Sequence, residues 1–195
     1  LGGYSYQDND TFGFFEQNHD FPTDIFSYNN IGLGRAAAKG LGVEGSSRSQ
    51  TNLISFFGRA TYNYKDRYLL LASVRREEAS QLYGTKEPWG TFPAVQVGWR
   101  LTKEPFMQAQ HIFDDLKFRA GYGVTGNQPR QGFLGVGLLG YGNYVLSNGQ
   151  WIQTLGPSQN PNPDLKWEEK HEADLGLDFS LLKGVVTGSV DLYDR

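Results

Sequence analysis

Apolar and polar residues alternate one by one along much of this chain. Phe56, Gly58, Ala60, Tyr62 and Tyr64 share one parity, against Ser55, Arg59, Thr61 and Asn63, with Phe57 as an exception. Tyr68, Leu70, Ala72 and Val74 then oppose Ser73 and Arg75, although Leu69 and Leu71 blur the contrast. Val95, Val97, Trp99 and Leu101 alternate with Gln96, Gly98 and Arg100. Leu116, Phe118, Ala120, Tyr122 and Val124 alternate with Lys117, Arg119, Gly121, Gly123 and Thr125. Ala173, Leu175, Leu177, Phe179 and Leu181 oppose Asp174, Gly176, Asp178 and Ser180, and Val186, Gly188, Val190 and Leu192 oppose Thr187, Ser189 and Asp191. A period of two marks β-strands with one apolar and one polar face. The pattern predicts about seven strands, near residues 1–7, 53–64, 67–76, 92–101, 116–125, 167–181 and from 185 onward.

Such strands suit a soluble sheet lying on a core, or a membrane barrel with lipid outside and water within. The connections favour the barrel. Links 8–52, 77–91 and 126–166 are long, whereas Lys65-Asp66 and Lys183-Gly184 are tight. The link 102–115 is of middle length, with a short helix expected around 106–113. Long loops at one end and short turns at the other are the asymmetry of outer-membrane barrels. Asn148-Gly149, between Tyr144 and Ile152, is a hairpin signal, so a small hairpin is expected inside the last long loop. Asn160-Pro161-Asn162-Pro163 would form its stiff return.

Composition agrees. Glycine accounts for 25 of 195 residues and aromatics for 14%, against a usual glycine content of about 7%. The net charge of -3 gives no electrostatic case for nucleic acid. Without cysteine, disulfides, thiolate metal sites and thiol nucleophiles are excluded. No apolar run reaches the roughly 20 residues of a membrane helix. The mean hydropathy of -0.49 leaves a barrel open, because its strands alternate. The first residues lack the charged start and apolar stretch of a signal peptide, and 191–195 stop within a strand pattern. The chain is therefore expected to be a piece of a longer one.

Candidate chemistry is sparse. Gly135 to Gly140 matches G-x-G-x-x-G without the flanking strand and helix a dinucleotide site needs, and reads as a flexible loop. Glu168 to Glu172, with His171, is not a zinc motif; on a strand Glu168, Lys170 and Glu172 face away from Glu169 and His171, as solvated rim charge. Asp114-Asp115 suits a turn, and Trp89 and Trp99 suit interfacial anchoring. No catalytic, cofactor or metal site is assigned. Tyr141, Tyr144 and Trp151 are candidate ligand or partner contacts, or they merely pin the loop hairpin.

Four stretches carry a family resemblance: "SFFGRATYNYKDRYLLLASVR", "WGTFPAVQVGWR", "DLKFRAGYGVTGNQ" and "NPDLKWEEKHEADLGLDFSLLKGVVTGSVDLYDR", with "FPTDIFSYNNIGLG" nearer the start. In order and spacing the chain resembles SusC/RagA-like TonB-dependent transporters of the Bacteroidetes outer membrane. It departs at Glu78 to Gly84, where the family often has an acidic-Gly-Ser-Ser stretch. The resemblance implies an all-β fold: residues 1–195 as a segment of a large antiparallel transmembrane β-barrel with long extracellular loops, the plug domain and the rest of the barrel lying outside it. It implies active import of an oligosaccharide or peptide, with a SusD-like lipoprotein, the TonB complex and outer-membrane lipid as partners. A passive porin or structural barrel, or a soluble β-sandwich such as a glycan-binding module or hydrolase, is the alternative.

Overall fold

Each alternating run becomes a strand, and the strands join edge to edge. The computed structural model describes residues 1–195, the side chain of Asn143 excepted. The strands are β1 (Gly2–Gln17), β2 (Val43–Tyr64), β3 (Tyr68–Ala79), β4 (Trp89–Arg100), β5 (Phe113–Asn127), β6 (Leu138–Ser147), β7 (Gln150–Gln159), β8 (Glu168–Leu181) and β9 (Val186–Asp194). Seven form one sheet in the order β1-β2-β3-β4-β5-β8-β9, antiparallel from β2 onward, and β6 and β7 form a separate hairpin. The large sheet is open, with β1 and β9 as its edges. A sandwich needs a second sheet packed across the first; here the second sheet is only the two-stranded hairpin.

Several boundaries differ from the sequence expectation. β1 and β2 run through much of the segment expected as the link 8–52, and β2 has 22 residues, about twice the roughly 9–11 that cross a bilayer. Both faces of these extensions are exposed, so no apolar alternation was required of them. The helix expected around 106–113 is replaced by two 3-10 turns, Leu101–Lys103 and Pro105–Met107, and β5 already begins at Phe113. Pro105 opens the second turn. The turn at Lys183-Gly184 spans 182–185, with Leu182, Lys183 and Gly184 all at positive φ.

By internal contacts the chain divides into two units, residues 8–51 and residues 1–7 with 52–195. In the first, Asn18 organises the loop. Its Nδ2 donates to the carbonyls of Ile31 and Gly34, at 2.9 Å each, and its Oδ1 accepts from the amides of His19 and Ala37. The short helix Arg35–Ala38 buries Ala36 beneath this frame. Along the strands, Arg48 makes a two-pronged bond to Asp10 and Gln50 reaches Asp8.

In the second unit, buried apolar side chains gather in one knot of Ala79, Leu82, Phe92, Val124 and Trp167, joined by Leu53 and Leu165. Trp167 is only 5% exposed. Its ring meets Phe92 edge-on at 5.2 Å, and its indole N–H donates to Pro88 O at 3.0 Å. A Cβ at Gly126 would overlap the Phe92 ring, so the strand must be bare there. So small a core does not account for a sheet of this size. Most of the other large apolar residues of β2 to β5, β8 and β9 lie on one exposed face, while Phe57, Leu69, Leu71 and Tyr193 turn to the other.

Candidate functional site

The registers bring the apolar positions of six strands into continuous rows. One row is Tyr64, Tyr68, Trp99, Phe118, Leu177 and Val190; the next is Tyr62, Leu70, Val97, Ala120, Leu175 and Leu192. The polar boundary of this face shifts from the row of Arg76 on β3 to the row of Ala72, Val95, Tyr122, Ala173 and Asp194 on β9. A band oblique to the hydrogen-bonded rows is what tilted strands in a flat apolar layer produce.

Aromatics stack at both ends of the band. At the tight-turn end Tyr62, Tyr64, Tyr68 and Trp99 form a series at 6.5 Å spacing, with Lys65 over the Tyr64 ring. At the loop end Tyr4 meets Phe56 at 5.2 Å, Phe56 stacks on Trp89 at 6.1 Å, and the Arg76 guanidinium lies 5.4 Å above Trp89. Trp89 and Trp99 share one face of β4, about 33 Å apart along an extended chain. At the usual tilt of about 40° this is a height of about 25 Å, the height of the lipid-facing band of a membrane barrel. The sequence reading of these tryptophans as interfacial anchors agrees with this placement.

The opposite face carries charge. Arg119 makes a two-pronged bond to Asp178, at 2.9 Å on each arm, and a third bond to Asp191 at 2.7 Å. Lys117 approaches Asp178 at 3.7 Å, and Arg100 approaches Asp115 at 3.3 Å. A Cβ at Gly176 would stand 2.7 Å from the Arg119 guanidinium, so glycine leaves room for the ion pair. Higher up, Ser55, fully buried, donates to Glu77 at 2.5 Å, and Arg75 closes on both.

One feature escaped the sequence reading altogether. Glu104, in the β4–β5 link, accepts from the Trp99 indole at 3.0 Å and stands 3.5 Å from Arg67. The hydrogen bonds from Trp99 and Tyr68 hold its carboxyl below the usual carboxylate range. Trp99 is only five residues away, but Arg67 and Tyr68 come from the β2–β3 turn and the start of β3, and that convergence is not visible in the local sequence.

Elsewhere the sequence candidates separate. Residues 138–140 of the G-x-G-x-x-G stretch enter strand β6 rather than a helix. His171 lies on the face of β8 opposite Glu168, Lys170 and Glu172, and its Nδ1 stands 2.8 Å from the Tyr122 hydroxyl. Tyr141, Tyr144 and Trp151 are in the hairpin β6–β7, exposed at 72%, 58% and 70%. Asn148 and Gly149 form its turn, both at positive φ. Alternation alone puts Tyr141 and Tyr144 on opposite faces. The register slips by one residue between Tyr141 and Asn143, and a bulge restores a shared face. Tyr141 then pairs with Leu155, and Leu146 with Trp151. Cross-strand partners share a face, so Tyr141, Tyr144, Leu146, Trp151 and Leu155 form one mainly apolar side, with Gln153 opposite Tyr144 as its polar member.

The family model of the TonB dependent receptor-like beta-barrel matches residues 1–195. The chain belongs to that family. TonB-dependent receptor P39 of Formosa agariphila is 34% identical over 190 residues, 97% of this chain and 17% of the relative. TonB-dependent receptor SusC of Bacteroides thetaiotaomicron is 32% identical over 154 residues, 75% of this chain and 15% of the relative. The chain thus spans about a fifth or less of the relatives it matches. A structure of the RagAB peptide transporter superposes with a TM-score of 0.78 at 22% identity, covering 98% of this chain and 20% of that one. The RagAB peptide importer in its closed-closed state gives 0.75 at 23% identity. These structures agree in fold. This is a barrel segment of the SusC/RagA type, and an outer-membrane location follows from the family. In such a barrel the banded apolar face is the one that meets lipid, and the ion-paired face looks into the wet interior.

Proposed function

We propose that the chain forms part of the wall of an importer that takes up an oligosaccharide or peptide across the outer membrane, driven through TonB. The observation that carries this reading is the match of the whole chain, residues 1–195, to the TonB-dependent receptor barrel family. In this reading the plug and the rest of the barrel belong to the longer protein, and the links 18–42, 80–88 and 128–167 lie outside the cell. A SusD-like lipoprotein covers the mouth, and Tyr141, Tyr144 and Trp151 contact it or the passing nutrient. No residue carries covalent chemistry.

Two features support a contact role for the hairpin. A lone two-stranded hairpin is marginal in water, and this one shows its aromatics to solvent. It also carries no charge: residues 131–163 contain no Asp, Glu, Lys or Arg, and interface cores are depleted in charge and rich in tyrosine and tryptophan. The test is removal of residues 141–151 from the full-length protein, followed by capture of the lipoprotein and growth on the candidate nutrient. Loss of capture or of growth is expected. Unchanged capture and growth assign the contact to other segments. Growth that persists without TonB points to a passive pore instead.

A further inference from the structure

Arg75 and Arg76 are chain neighbours on opposite faces, and they are neutralised differently. Arg75 closes on Glu77 and Ser55. Other cations of the polar face and of the turn below it behave likewise: Arg67 with Glu104, Arg100 with Asp115, Lys117 with Asp178, and Arg119 with Asp178 and Asp191. Arg76 is on the banded face, exposed, and makes no ion pair among the described residues. Its guanidinium instead lies over Trp89, which is stacked on Phe56, itself in contact with Tyr4. Glu78, two residues further along the same face, forms no ion pair with it. Thus a cation stands at the loop-side rim of the apolar band on an aromatic platform, without a counter-ion among the described residues.

An arginine held over a ring keeps its edge N–H groups free, and their forked geometry matches phosphate. A cation at the edge of an apolar face lies at headgroup depth. We infer that Arg76, seated on Trp89, binds the phosphate of an anionic membrane lipid, whose acyl chains lie along the band below. This rests on the reading that the banded face meets the membrane, and it is independent of what the transporter carries.

The experiment uses the full-length receptor in mixed micelles holding equal amounts of phosphatidylglycerol and phosphatidylcholine. Native mass spectrometry reads the ratio of the two lipids retained. Arg76→Gln is expected to lower the phosphatidylglycerol preference about fivefold, the effect of one basic residue at an anionic surface. Arg76→Lys keeps most of the preference, whereas Arg59→Gln, on the polar face, leaves it unchanged. Heat-modifiable migration on gels confirms that each variant retains its barrel. Equal ratios for the wild type and Arg76→Gln overturn the site. Retention of inorganic phosphate by the wild type together with equal retention of the two lipids also overturns it, by showing a site for free anion rather than for lipid. Nutrient uptake does not enter this readout, so failure here leaves the import proposal standing, and a failed import test leaves this site standing.

Discussion

Leu177 and Asp178 are adjacent in β8 and live in different solvents. Leu177 sits in a row of side chains running from Tyr64 to Val190. Asp178 holds Arg119 and Lys117 on the other face. The apolar face leaves its large side chains exposed in the isolated chain, while the polar face pairs most of its charges within itself, as Arg75, Lys117 and Arg119 do. A soluble sheet buries its apolar face against protein, whereas in the barrel family to which this chain belongs the medium over such a face is lipid. The small knot around Trp167 is the exception, an apolar cluster next to the strand ends on the loop side.

The comparison is broken most severely at that knot. Trp167→Ala removes a buried ring and its bond to Pro88 O and is expected to cost about 3–5 kcal/mol. Urea unfolding of the full-length barrel refolded into vesicles measures it; a cost below about 1 kcal/mol would make the knot incidental. On the lipid face, Leu177→Arg is expected to cost about 2–4 kcal/mol near mid-band, read in the same assay. A smaller loss, about 1 kcal/mol, is expected for Asp178→Asn, because Arg119 retains Asp191 and the half-exposed pair is screened. Asp178 is therefore less permissive than its place on a polar face suggests, but far more so than Leu177.

The smallest effect sharpens the boundary on the tight-turn side. The folded-state pKa of Glu104 is depressed, chiefly by its bond from Trp99 and then by that from Tyr68. A depressed carboxyl contributes stability that is complete above its unfolded value and is lost as pH falls through the folded one. Wild type should therefore lose more stability than Glu104→Gln on acidification from neutral pH through the carboxylate range. Parallel losses would show that the Glu104 carboxyl is not held below its unfolded-state value.

Much of the sheet was legible before any coordinates. Alternation is a local property of strands, so the faces of β3, β4, β5, β8 and β9 could be read from parity alone. The Asn148-Gly149 turn was equally local, because left-handed backbone suits those residues. The extensions of β1 and β2 left no such trace. Exposed on both faces, Asp8 to Gln17 and Val43 to Thr51 need no apolar parity, and pairs such as Arg48 with Asp10 hold them across the hairpin. Register was also illegible, because it is a relation between distant segments. Register decides that Asp178 meets Arg119, and that Tyr141 turns to the side of Tyr144 and Trp151 through a one-residue slip. The partners of Trp167, and Arg67 and Tyr68 beside Glu104, are set the same way, by segments far apart in the chain. Parity needs only nearest neighbours, whereas burial and charge pairing depend on which strand lies alongside, and tertiary structure alone supplies that.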